Sequence, residues 1–150
     1  MKIALGSDHN GIEFKQLLVE HLEKTGYEVI DAGPQGEESV DYPDFAFSAA
    51  EMVSNHEADR GILICGSGIG MSMAANKVNG IRAALCFTPE SAALTRQHND
   101  ANVLALAGWQ SEASDVLEIV DKFLTTEFDG GRHARRVDKI TSYEKRRDEK

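Results

Sequence analysis

Residues 61–72, Gly61-Ile-Leu-Ile-Cys-Gly-Ser-Gly-Ile-Gly-Met-Ser72, indicate a buried strand, a glycine-rich turn and the start of a helix. An apolar run of this kind is typical of a parallel strand that is covered on both faces. Cys65 stands where the strand should end, and the helix that follows offers unpaired N–H groups that stabilise a thiolate or an anion. Cys65 is therefore either a reactive group beside an anion-binding turn or a free cysteine packed in the core, as free cysteines often are.

Short apolar runs alternate with longer amphipathic segments along the rest of the chain. The pattern predicts strands over residues 2–6, 27–31, 61–64, 81–87 and 102–107, and helices over residues 12–24, 43–55, 69–78, 89–97 and 111–125, the last capped by Ser111. Alternating strands and helices form right-handed βαβ units. We therefore expect a three-layer α/β fold of Rossmann or flavodoxin type, with a five-stranded parallel sheet, helices on both faces and ligands at the carboxyl ends of the strands.

The charge distribution divides the chain at Gly130-Gly131. Residues 131–150 carry eight of the 16 lysines and arginines and have a net charge of +4, whereas residues 1–130 carry −13. We expect one domain over residues 1–130 and a basic helical arm over 131–150, packed on a partner subunit. The arm is either a solvated basic helix or a device that brings cations to an anionic ligand. The overall charge of −9 argues against nucleic acid as a partner.

The composition also predicts the compartment and the absence of a metal. No apolar run approaches the roughly 20 residues that a membrane span needs. Two cysteines without an export signal favour the cytoplasm and free thiols. The five histidines show no pairing at metal-ligand spacing along the sequence. We expect a cytoplasmic protein with no metal and no membrane partner.

The glycine run after Cys65 does not match the common phosphate-binding loops. Gly66-x-Gly68-x-Gly70 lacks the G-x-G-x-x-G spacing of a dinucleotide site, and no Walker A lysine follows. A cysteine phosphatase would need an arginine where Met71 stands. What remains is a short loop able to bind an oxyanion or a small phosphate next to a thiol.

Polar residues follow the first strand at the same predicted edge of the sheet. Asp8 and His9 lie in the stretch Ser7-Asp8-His9-Asn10, and together they can form an acid–base pair, although Asp8 could simply cap a helix. Asp41-Tyr42-Pro43 is expected to add a wall, while a capping role explains Asp41 equally well.

A second group of chemically useful residues falls at the opposite edge. The helix over 89–97 runs back from the carboxyl edge, so His98 should lie far from Cys65 of its own chain. Arg132 and Arg136 belong to the same far edge, and their spacing of four places both guanidinium groups on one helix face, suited to a phosphate. Either these residues are unrelated to Cys65 or a second chain supplies them.

The ordered set of motifs resembles type B ribose-5-phosphate isomerases. The set spans nearly the whole chain: Ser7-Asp8-His9, Asp41-Tyr42-Pro43, residues 65–72, Ala75-Asn-Lys77, Gly80-Ile-Arg-Ala83, residues 96–103, and Gly130-Gly-Arg-His133 with Arg136. The resemblance implies a Rossmann-like homodimer, sometimes a dimer of dimers, whose active site lies between two chains. It also implies no metal and no organic cofactor.

The resemblance also implies a role for each candidate residue. Cys65 would be the base that moves a proton between C2 and C1 of a sugar phosphate through an enediolate. The other implied groups are the oxyanion donors (Ser67 and the loop from Gly66 through Gly68 to Gly70), the ring-opening pair (Asp8, with His98 supplied by the partner) and the substrate or phosphate ligands (Tyr42, Asn99, His9, Arg132 and Arg136).

Two departures and two alternatives accompany this interpretation. Many relatives carry threonine where this chain has Ser67, and Trp109 replaces a residue that is often polar or basic. An isomerase of a six-carbon aldose 6-phosphate, of allose or galactose type, is the first alternative, although Cys65 and the run His98-Asn99-Asp100 favour a pentose. A non-catalytic sugar-phosphate-binding protein is the second.

Overall fold

Strands and helices alternate through the computed structural model, which describes all 150 residues. The strands are β1 (Lys2–Ser7), β2 (Glu28–Asp31), β3 (Arg60–Cys65), β4 (Ala83–Leu85) and β5 (Val103–Ala107). The helices are α1 (Ile12–Lys24), α2 (Tyr42–Ser54), α3 (Ile69–Ala75), α4 (Pro89–Asn99), α5 (Ala113–Thr125) and α6 (Arg132–Asp148). Short 3-10 turns follow β1 at His9–Gly11 and β5 at Gly108–Gln110.

The five strands form one parallel sheet in the order β2-β1-β3-β5-β4, which confirms the predicted α/β fold. The order matches that of flavodoxin-like folds except that the last two strands are exchanged. From β1 the chain moves to β2 on one side and then to β3 on the other. The carboxyl ends of β1 and β3 therefore flank a topological switch point, where open α/β sheets bind ligands.

Helices cover both faces of the sheet and enclose two apolar cores. The face with α1, α4 and α5 packs large side chains such as Phe123 and Ile119 against the strands. The face with α2 and α3 is rich in alanine, and its buried residues include Ala46, Ala49 and Ala75. Small side chains let these two helices approach each other and the sheet closely. The three layers predicted from the sequence are thus present.

Most element boundaries differ from the sequence prediction by one or two residues, and three of the differences concern β4, α3 and α5. Strand β4 is shorter than 81–87, because the N–H groups of Arg82 and Ala83 donate to the side chains of Asn102 and Asn76 instead of a strand. Helix α3 stops at Ala75, after which the chain tightens into turns. Helix α5 has Glu112 rather than Ser111 at its N-cap position, with no side-chain cap.

Residues 132–148 form the expected C-terminal helix, which packs along α4 and the turn before β4 of its own chain. The Glu144 carboxylate accepts a hydrogen bond from the Gly80 N–H at 3.0 Å, and Arg147 donates to Asn79 at 2.8 Å. Ile140 and Tyr143 remain exposed on this helix. Packing of α6 on a partner subunit stays a prediction. None of the helices combines the length and apolar character needed to cross a membrane.

Candidate active site

Cys65 ends β3 at the floor of a pocket beside the switch point. Its side chain is almost fully buried, at 5% exposure, and the Gly68 N–H donates a hydrogen bond to its sulfur at 3.2 Å. Gly68 has φ +75°, and a Cβ there would lie 2.5 Å from Leu85 Cδ1. Only glycine fits this left-handed, crowded position. The turn thus aims a main-chain donor at the thiol, and Gly68 itself lies behind the pocket wall.

The next two residues after Cys65 offer free hydrogen-bond donors. The main-chain N–H groups of Gly66 and Ser67 have no acceptor within the protein. The Ser67 hydroxyl accepts a hydrogen bond from the Ile69 N–H at 3.3 Å and remains partly exposed. Donors preorganised beside a base are the arrangement that stabilises a developing oxyanion. The loop can therefore support proton abstraction next to a carbonyl group.

Asp8 forms the wall that comes from β1, and it has a structural role as well. Its carboxylate is buried and accepts a hydrogen bond from the Asn10 N–H at 2.9 Å, which caps the short turn after the strand. The neighbouring His9 lies outside the pocket lining, and its Nδ1 accepts a hydrogen bond from the Val40 N–H at 3.2 Å. The side-chain nitrogen of Asn10 lies 3.4 Å from the Nε2 of the same ring.

Two aromatic rings form the side walls, one against Gly66 of the loop and the other against Gly70 in the first turn of α3. A Cβ on Gly66 would come within 2.5–2.7 Å of the Trp109 indole, and a Cβ on Gly70 within 2.5 Å of the Tyr42 ring. Gly66 and Gly70 therefore leave room for these rings. The pocket has a volume of about 400 Å³ and is lined by Asp8, Asn10, Tyr42, Cys65, Gly66, Ser67, Ile69, Gly70, Met73 and Trp109.

A second cluster lies where the end of α4 meets the start of α6. The rings of His98 and His133 stack with their centroids 4.3 Å apart, and Asp129 stands beside them. Partial burial lowers the pKa of His133, and the positive charges of His98, Arg132 and Arg136 lower it further. The ligand atoms of the two histidines and Asp129 lie within 4.8 Å of one another, as a metal site requires, but the two arginines make this cluster better suited to an anion.

Spacing along the sequence missed this histidine pair, because 35 residues separate His98 from His133 and only the packing of α6 on α4 joins them. Asn10, Ile69 and Met73 were also missed as pocket residues, because neighbours on a loop or helix carry no motif. Tyr42 lines the pocket as predicted, and Trp109 lines it too.

A buried arginine fixes the segment that carries His98 and Asn99. Arg96 is 3% exposed and donates to the Asp100 carboxylate at 2.8 Å and to the Ala101 carbonyl at 2.6 Å. Arg82 donates to the carbonyl of Asn99 at 2.9 Å. Asp100 adopts φ +46°, which turns the chain sharply after α4. Asn99 is thereby held in a groove between α4 and α6.

The predicted site residues thus fall into two groups at opposite edges of the sheet. The Cys65 pocket contains Asp8, Tyr42, Cys65, Gly66, Ser67 and Gly70. The far group contains His98 at the end of α4, Arg132 and Arg136 on α6, and Asn99 in the groove between these two helices. Strand β5 begins at Val103, just past the end of α4, and ends at Ala107 beside Cys65. Five residues of strand separate the groups by at least roughly 13 Å, so one chain does not bring them together.

Comparison with known proteins places this architecture in a family. Residues 3–140 match the family described as Ribose/Galactose Isomerase. The chain is 49% identical to ribose-5-phosphate isomerase B of Escherichia coli, over 97% of this chain and 98% of the relative.

Two solved structures have the same fold over nearly their whole length. Ribose-5-phosphate isomerase B of Clostridium thermocellum gives a TM-score of 0.96 at 55% identity, over 97% of this chain and 99% of that one. The Mycoplasma genitalium enzyme with bound ribulose-5-phosphate gives 0.93 at 49% identity, over 96% of both chains. With the family match spanning most of its length, this chain belongs to the ribose/galactose isomerase family.

Proposed function

We propose that this protein interconverts ribose 5-phosphate and ribulose 5-phosphate. The observation that carries the proposal is the Cys65 pocket, where a thiol lies beside the free N–H groups of Gly66 and Ser67. Its relatives support the choice of substrate, since they include ribose-5-phosphate isomerases B and a structure of one with ribulose-5-phosphate.

Isomerisation needs one base and a place for negative charge. The Cys65 thiolate removes the proton from C2 of the open-chain aldose, and charge moves to the oxygen on C1. The N–H groups of Gly66 and Ser67, with the Ser67 hydroxyl, stabilise that enediolate. Cys65 returns the proton to C1 while the O2 proton passes to O1, which leaves a ketone at C2. No atom or electron is gained or lost, so the reaction needs no redox partner.

Ring opening and phosphate binding use the far group of a second chain. In the proposed homodimer, or dimer of dimers, Asp8 of one subunit and His98 of the other move the protons that open the furanose ring. Asn99 holds the sugar beside them. The phosphate is bound by the Nε2 of His9 and by the guanidinium groups of Arg132 and Arg136, whose spacing on α6 suits an anion. We place this activity in the cytoplasm, where both free cysteines stay reduced.

A substrate panel assayed with a metal chelator tests the proposal. We expect ribose 5-phosphate to give a higher kcat/KM than allose 6-phosphate or galactose 6-phosphate. Cys65→Ala should lower kcat by about 10²–10⁴-fold, the usual loss when a catalytic base is removed, with substrate binding retained.

The matched control is Cys86→Ala. Burial away from the pocket raises the pKa of the Cys86 thiol, and this variant should keep normal turnover. Near-normal activity of Cys65→Ala would refute the proton-transfer role. Preference for a six-carbon substrate would support the hexose alternative, and binding without turnover of any sugar phosphate would support the binding-protein alternative.

A further inference from the structure

Trp109 is the one tryptophan of the chain, and it is both exposed and firmly placed. Its side chain is 72% exposed, although large aromatic residues are usually well buried. Its main-chain N–H donates to the Gly66 carbonyl at 2.9 Å, which anchors the turn after β5 to the loop after β3. An exposed indole on such a fixed backbone indicates a binding surface.

The indole lies face-on against Gly66. A Cβ on Gly66 would meet Cε2, Cδ2 and Cζ2 of the ring at nearly equal distances of 2.5, 2.6 and 2.7 Å, so the glycine points at the ring face and not at its edge. Nothing else in the chain covers the other side of the ring. The ring of Tyr42 lies against Gly70, in the first turn of α3. Cys65 lies on the floor of the pocket, which both rings line.

We infer that Trp109 contacts the substrate and forms an apolar wall for the carbon chain of the sugar. An indole carries no charge and cannot bind the phosphate, but its face can pack against the C–H bonds of an open-chain sugar. Exclusion of water from the space around C1 and C2 strengthens the hydrogen bonds that stabilise the enediolate. This inference rests on the proposed function, and it assigns to Trp109 a contact with carbon instead of a phosphate contact.

Fluorescence of the wild-type enzyme, excited at a wavelength that indole absorbs and tyrosine does not, reports on Trp109, the one tryptophan. We expect ribose 5-phosphate to shift the emission to shorter wavelengths and to lower the quenching constant for acrylamide. Inorganic phosphate at the same concentration should change neither, because the phosphate ligands lie elsewhere. If a partner subunit covers the indole, quenching will be weak in the free enzyme and unaffected by substrate, and the inference is then wrong.

Kinetics supply a second readout. Trp109→Ala should lower kcat/KM for ribose 5-phosphate by about tenfold, equivalent to about 1.4 kcal/mol, a reasonable size for one lost aromatic face. Trp109→Phe should recover much of the loss. Phe47→Ala removes an exposed aromatic ring from the outer face of α2, outside the pocket, and should leave kcat/KM unchanged.

The two failures can be told apart. A wild-type enzyme that does not isomerise ribose 5-phosphate refutes the proposed function. A wild-type enzyme that does so, with Trp109→Ala equally active, refutes only the role of Trp109.

Discussion

The proposed division of the site between two chains makes a prediction about mixed dimers. Cys65 and His98 lie at opposite edges of one sheet, at least roughly 13 Å apart along β5. A histidine side chain cannot bridge that gap, so in the proposed dimer a complete site takes Cys65 from one subunit and His98 from the other. Cys65→Ala and His98→Ala enzymes should each be nearly inactive, yet a dimer of one chain of each kind keeps one intact site.

The recovery expected on mixing follows from this geometry. Equal amounts of the two variants, unfolded together and refolded, pair at random, so about half of the dimers are mixed. Each mixed dimer has one site with both defects and one with neither, because a twofold axis relates the sites. About a quarter of the wild-type kcat should therefore return, measured as ribulose 5-phosphate formed per site. Different affinity tags on the two chains show how much mixed dimer is present.

The matched control pairs two defects from the same half of the site. Asp8 and Cys65 both line the pocket of a single chain, so a dimer of Asp8→Ala with Cys65→Ala has one defect in each site and should recover nothing. Mixed dimers of the first pair that stay inactive, or a control pair that recovers equally well, would refute the shared site.

Two further predictions concern the far group. Arg96→Met should lower the free energy of unfolding in urea by about 1–3 kcal/mol, because it leaves the buried Ala101 carbonyl without its side-chain donor. The Asp100 carboxylate keeps a second contact, with Arg82 at 3.4 Å. Unchanged stability would contradict this account. By NMR, His133 should titrate with a pKa below about 6.5, the pKa of a histidine in the unfolded chain. The unfolded chain then binds more protons than the folded protein. The free energy of unfolding should therefore fall as the pH drops below about 6.5. Arg132→Gln should raise the pKa of His133, because it removes one of the positive charges that lower it. An unchanged pKa would show that the charge of Arg132 does not contribute to the shift.

Apolar periodicity predicted the architecture well because the central strands β1, β3 and β5 are short buried runs and the helices α1, α2 and α5 each bury an apolar face. The sequence placed α1 at Ile12–Lys24, as observed. The order of β4 and β5 could not be predicted, because it depends on which strand covers the edge of β3. The N–H groups of Arg82 and Ala83 donate to the side chains of Asn102 and Asn76, contacts that apolar periodicity does not indicate and that shorten β4.

The glycines after Cys65 show where a motif and a structure diverge. Their spacing suggested a cradle for an anion. In the structure the N–H of Gly68 faces the Cys65 sulfur, whereas Gly66 and Gly70 leave space for Trp109 and Tyr42. The same three glycines thus serve a thiol and two aromatic walls. A glycine pattern indicates positions where a side chain would not fit. Only the packed structure shows which groups fill the space beside each glycine.

The charge distribution favours the proposed phosphate ligands on the C-terminal helix. Residues 1–130 have a net charge of −13, so the domain that contains Cys65 repels a doubly negative sugar phosphate. The cations concentrated beyond Gly131 offset that repulsion only if they reach the pocket. Arg132 and Arg136 stand at the far edge of their own sheet, and neither has a carboxylate partner within salt-bridge distance. In the proposed dimer the arm of one subunit lies over the pocket of the other. Dimer formation then supplies the charge that each pocket lacks, and a monomer should bind the phosphate weakly even with Cys65 intact.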